Sequence, residues 1–261
     1  MASTASLEGI KKAVFFPFLG EKWGVKVLIG SALTFGSFLI IPAIPVFGYF
    51  GQIMKRIIVQ DEDPELPEWN DWGVLFLDGT KLLGATLIYL LPALILAIGG
   101  YALFMLLDLS LAFSASAVNP YSSNPPILPM LGSVFGMFGG LGVMMLGFVL
   151  AFVTLIVIPP ALGNMLAKGN FEAAFRFKEW WSVFKANLSG YILAVALALG
   201  LSYLLYMLAL ILYATIVLCC LLPFALAFIA FIAGAVGFSV YAVAYRDGLR
   251  KLAQPGTQAA G

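Results

Sequence analysis

The charged residues of this chain are confined to a few short stretches, and this constrains the fold more than any other feature. All fourteen Lys and Arg fall in four clusters. These are Lys11, Lys12, Lys22 and Lys26; Lys55, Arg56 and Lys81; Lys168, Arg176, Lys178 and Lys185; and Arg246, Arg250 and Lys251. The apolar stretches between them are long enough to cross a bilayer, which takes about 20 residues. The fold class read from this is an all-α integral membrane protein. It is a helical bundle of four full spans plus an N-terminal re-entrant or kinked helical segment, with amphipathic interfacial helices.

A net charge of +1 argues against a nucleic-acid partner, which would call for a strong basic excess. The chain has no His, which removes His-ligated haem, His-based zinc sites and Ser-His-Asp chemistry together. Cys219 and Cys220 are adjacent and read as small apolar packing residues; neighbours in sequence rarely meet disulfide geometry. The polar, basic start up to Lys12 carries no pattern of a cleavable signal.

Three regions follow. Residues 1–26 read as an interfacial segment. Leu7, Ile10, Val14 and Phe18 recur at helical spacing, with Trp23 as an anchor. Residues 27–245 read as one transmembrane domain, and 246–261 as a basic, disordered tail. Within the domain, 82–107 and 131–158 are spans joined by a Ser-, Asn- and Pro-rich loop over 108–128. Residues 188–245 hold two more spans, with a turn near Cys219 to Pro223.

The first stretch, 27–54, is interrupted by Pro42 and Pro45 and supports two readings. A single tilted, kinked span splits the basic residues ten to four across the membrane. A re-entrant hairpin puts all fourteen on one side. The positive-inside rule favours the hairpin, with both termini and both charged loops cytoplasmic. Its cost is a turn whose free backbone groups must find partners.

The charged loops are patterned. Trp69, Trp72 and Phe76 recur at helical spacing, as do Phe177, Trp181, Phe184 and Leu188. This predicts amphipathic helices whose rings meet lipid, with Trp23, Trp69, Trp72, Trp180 and Trp181 as interfacial anchors. The stretch from Pro67-Glu68-Trp69 also aligns with that from Lys178-Glu179-Trp180. Each follows a Pro-x-x-Gly step, Pro45 to Gly48 and Pro160 to Gly163. A weak internal duplication is one reading, and such repeats are common in transport folds. The other is that any interfacial helix draws on the same residue types.

Gly48-Tyr49, Lys55-Arg56, an acidic stretch, then Leu66, Pro67, Glu68, Trp69, Asn70, Asp71 and Trp72, followed by Asp78-Gly79, form a specific string. With the Trp23-to-Lys26 lead-in, it resembles an uncharacterised family of bacterial and archaeal multi-span membrane proteins, known as a domain of unknown function. The resemblance implies membership and a place in the cell membrane, but no chemistry. Asn70 departs from the acidic residue expected there.

The acidic run Asp61, Glu62, Asp63 and Glu65 lacks calcium-loop spacing and reads as a solvated loop, so no metal site is expected. Gly132, Gly136 and Gly140 recur every four residues and give one helix a smooth face for close packing, inside the chain or against a partner. The spans hold almost nothing ionisable, which lowers the case for ion-coupled transport. No catalytic set and no cofactor site is recognisable. The expected function is therefore that of a scaffold, assembly factor or accessory subunit in contact with membrane lipids, other subunits or itself. A transporter or channel for an apolar or neutral solute is the alternative.

Overall fold

The structure, a computed structural model, describes residues 11–116, 127–214 and 221–253. All regular structure among them is helical. We number the helices α1 (Trp23–Phe35), α2 (Ala43–Ile58), α3 (Trp72–Ser116), α4 (Ile127–Lys168), α5 (Phe177–Ala186), α6 (Leu188–Ala214) and α7 (Leu222–Ala253). Four of these, α3, α4, α6 and α7, are long and apolar enough to cross a membrane. The protein is an all-α membrane protein.

The described residues group into two compact units, those within 1–85 and 158–261 and those within 86–157. The helices also outrun their predicted limits. α3 extends to Ser116 and α4 begins at Ile127, which consumes most of the loop expected over 108–128. α7 continues to Ala253 through the start of the expected tail, because 246–253 carries no helix breaker other than Gly248. Cys219 and Cys220, and residues 254–261, lie outside the described residues.

In the larger unit α7 is the core helix. Half of its most apolar 18-residue stretch is buried, against 11–17% for the other three. Small residues on α7 let its neighbours close in: Ala235, Ala242 and Ala244 are buried, and Gly248 lies against Val183 of α5. Pro223 sits in the first turn of α7, where a missing N–H costs nothing.

Residues 27–54 form a hairpin. α1 ends in a 3₁₀ turn at Gly36–Leu39, and the chain reverses at Ile40, whose φ of 67° a β-branched residue rarely adopts. Both arms pack on α7 in opposite senses. Phe35 stacks on Phe224 at 4.8 Å and Gly30 faces Phe231, while Phe50 stacks on Phe238 at 5.0 Å. The two ends of the hairpin meet: Lys12 pairs with Asp63 at 2.7 Å, and Lys26 bonds the carbonyl of Leu66 at 2.9 Å. The turn satisfies its backbone locally, through Ile40 N to Ser37 O (2.9 Å), Ala43 N to Ile40 O (3.0 Å) and Ile44 N to Ile41 O (3.2 Å). Phe38, Leu39, Ile40 and Ile41 are left exposed at the turn.

The smaller unit is an antiparallel helix pair from α3 and α4, closed on glycine. A Cβ at Gly140 would lie 2.8 Å from the Phe104 backbone nitrogen, and one at Gly147 would lie 2.5 Å from that of Ala97. Gly100 answers from α3 against Met144. Of the predicted ridge, Gly140 meets backbone of the same chain, Gly136 faces the Leu107 side chain, and Gly132 has nothing within 4 Å. The ridge is therefore largely occupied internally, which withdraws it as a sign of an external partner at Gly136 and Gly140. Gly140→Leu should destabilise the protein by about 1–3 kcal/mol, because backbone cannot rotate aside. Gly132→Leu should be close to neutral; thermal melts in detergent compare the two.

Candidate functional site

The Leu-Pro-Glu-Trp string forms a clasp across the mouth of the hairpin. Residues 61–68 carry no regular secondary structure, and α3 starts only at Trp72. Trp69 therefore does not share a helical face with Trp72 and Phe76. It lies between the hairpin arms, 7% exposed, with its ring stacked on Tyr49 at 4.1 Å. Its indole N–H donates to the carbonyl of Lys26 at 3.0 Å, which supplies the acceptor a buried Trp requires. Leu66 and Pro67 are buried beside it.

Two polar side chains fasten this loop. Lys26 is 5% exposed, donates to the Leu66 carbonyl at 2.9 Å and pairs with Glu68 at 2.8 Å. The Tyr49 hydroxyl donates to the Pro67 carbonyl at 2.9 Å. Asp71 caps the start of α3, accepting from the Val74 N–H at 3.4 Å. Gly79 is needed where α3 crosses α2: a Cβ there would collide with the Ile44 carbonyl and lie 2.9 Å from the Gly48 nitrogen.

A second clasp holds the loop after α4. Asn164 donates to the Ala173 carbonyl at 2.8 Å and to Glu179 at 3.1 Å, and its own oxygen accepts from the Tyr245 hydroxyl at 3.0 Å. The Asn164 hydrogen bond, with Arg176 and Lys168 nearby, holds the Glu179 carboxyl below its usual range. Asn187 donates to the Ala244 carbonyl at 2.8 Å and accepts from Lys251 at 2.7 Å. Trp180 is fully buried.

The two clasps bear on the predicted duplication. Tyr49 follows Gly48 and Asn164 follows Gly163, each one residue past a Pro-x-x-Gly step. Each side chain then bonds a carbonyl of the loop that returns to the bundle. Trp69 and Trp180, aligned by that duplication, both point inward.

Of the five predicted anchors, Trp69 is thus corrected to a buried clasp residue, and Trp180 to a buried packing residue whose indole N–H has no hydrogen-bond partner among the described residues. Trp23 and Trp72 are 39% and 42% exposed, and half-buried Trp181 stacks between Phe177 and Phe184 at 5.2 Å on each side. Single-Trp variants in brominated lipid should show quenching for Trp23 and Trp72, and little for Trp69 and Trp180.

Lys26 and Tyr49 belong to the string singled out in the sequence, but their bonds to the loop do not follow from it, and Asn164, Asn187 and Tyr245 carry no sequence signal of their roles except at Asn164. The matched offset of Tyr49 and Asn164 after the two Pro-x-x-Gly steps was the available signal.

The acidic run has a structural use. Asp61, with φ 58°, accepts from Arg250 at 2.8 Å and pairs with Arg246 at 3.5 Å, while Arg56 pairs with Glu62 and Glu65 at 3.0 Å each. The loop after α2 is thereby tied to the end of α7. The Arg250 hydrogen bond holds the Asp61 carboxyl below its ordinary range. A depressed folded-state value means the tie contributes above the unfolded value of about 3.9 and is lost as pH falls through the folded one. The Tm gap between the native protein and Arg250→Gln should be small, hold from neutral pH down to about 4, and close below it.

No three of His, Cys, Asp or Glu converge as metal ligands among the described residues. Neither a curated protein nor a solved structure matches the chain. Residues 35–214, from the end of α1 to the end of α6, match the family described as "Protein of unknown function (DUF4013)", and the chain belongs to that family.

Proposed function

We propose that this protein is a membrane component without chemistry of its own, a scaffold, assembly factor or accessory subunit of a membrane complex. In this reading it sits in a bacterial or archaeal inner membrane with its termini and charged loops in the cytoplasm, as the charge distribution favours. The observation that carries the reading is the bareness of its spans. In the most apolar 18-residue stretch of each, only 11% of α3, 17% of α4 and 11% of α6 is buried by this chain. Long apolar helices so little covered offer broad surface to lipid and to the spans of other proteins. The clasps support it too, because their polar groups are engaged in holding loops to the bundle.

Purification in mild detergent, with identification of co-purifying proteins, tests the proposal. A stoichiometric membrane-protein partner that survives washing is the expected result. A partner-free protein that carries a neutral solute across liposomes faster than empty vesicles would replace this reading with the transporter alternative.

A further inference from the structure

Within the larger unit, a cavity of about 160 Å³ opens between the end of α2, the first turns of α3 and the end of α4. Its polar lining is Lys55, Asp78, Lys81 and Asn170, and its apolar lining includes Leu82, Met165 and Leu166. Arg56, the neighbour of Lys55 in sequence, is matched by Glu62 and Glu65. Among the described residues, Lys55, Lys81 and Asp78 have no hydrogen-bond or ion-pair partner for their side chains. Asp78 and Lys81 stand three apart on one helix, a spacing at which they could pair, yet they do not.

The cavity lies where charge gives way to hydrocarbon. Lys81 is followed by an uncharged run that lasts until Asp108, and Met165 and Leu166 end the apolar part of α4 just before Lys168. At this boundary a bilayer places its headgroups, and basic pockets between spans are sites for them. The volume decides the size of the occupant. It is smaller than the roughly 300 Å³ at which drug-sized ligand pockets begin. A headgroup fits that limit.

We propose that this cavity binds the headgroup of a glycerophospholipid. Lys55 and Lys81 hold the phosphodiester, Asp78 accepts a hydrogen bond from a hydroxyl or ammonium of the headgroup, and Leu82, Met165 and Leu166 meet the start of the acyl chains. Lysine acts here as a point charge on phosphate. Asp78 gives the site a preference for glycerol or ethanolamine headgroups over choline, which has no donor.

The test is lipid retention by the full chain. Protein reconstituted in nanodiscs of equal phosphatidylglycerol, phosphatidylethanolamine and phosphatidylcholine is extracted in mild detergent, and the retained lipid is quantified by mass spectrometry. The native protein should retain the first two over the third. Lys55→Gln with Lys81→Gln should reduce retention on the order of tenfold. Lys11→Gln with Lys22→Gln, which removes the same charge elsewhere, should not. Lys55→Arg with Lys81→Arg should keep it, and Asp78→Asn should erase the discrimination against choline. Unchanged retention in the double Gln variant at unchanged Tm overturns the proposal. So does lysine-dependent binding of inorganic phosphate by delipidated protein without any lysine dependence of retained lipid, since the site would then serve a soluble anion.

Discussion

Trp69→Ala should be the most damaging single truncation in the chain, costing about 3–5 kcal/mol, the range for buried Phe or Trp. The indole fills the mouth of the hairpin, stacks on Tyr49 and borders Phe231 at 6.3 Å. Its loss opens a cavity and leaves the Lys26 carbonyl without its indole donor. Trp72→Ala, three residues on but 42% exposed, should cost well under half as much. Unfolding of the purified protein by graded SDS, followed by circular dichroism, gives the comparison. Equal losses for the two would return Trp69 to the lipid interface.

Gly79→Leu should be nearly as severe. The α2–α3 crossing brings the Ile44 carbonyl and the Gly48 nitrogen against the bare Cα of Gly79, and neither backbone group can turn away. Gly48 makes the reciprocal approach to the Leu75 carbonyl. Helices forced apart here lose packing along both faces, at about 3 kcal/mol, the upper end of ordinary overpacking. Gly24→Leu, where nothing lies within 4 Å, is the control and should fold normally. The yield of monodisperse protein after detergent extraction separates the two.

The four spans and the N-terminal hairpin are legible in the sequence because both follow from where charge is absent. Hydrocarbon excludes charge, and one side of a membrane collects basic residues. The Pro-x-x-Gly steps are legible for a related reason, since proline and glycine mark backbone geometry directly. The inward turn of Trp69 was hidden. Its spacing from Trp72 suggests a shared face only if both lie in one helix, whereas the irregular chain around Pro67 delays the start of that helix to Trp72. Trp180 is hidden differently: α5 is helical as expected, but its aromatics cover two faces, with Phe177 exposed and Trp180 fully buried. Lys26 looked like one of many interfacial lysines; its carbonyl partner is 40 residues away and cannot be read from local pattern. The same holds for the glycine ridge, whose counterpart, Gly100, lies on a different helix.

We propose that the Leu66–Trp72 loop closes a re-entrant hairpin, so that the residues before α1 and after α2 share one side of the membrane. Cysteines placed singly at Lys22 and Gln60, both exposed, in a background without Cys219 and Cys220, test this directly. Right-side-out and inverted vesicles are each treated with an impermeant maleimide. Both positions should label in the same vesicle orientation. Labelling of Lys22→Cys from one side and Gln60→Cys from the other would make 27–54 a single span and contradict the account.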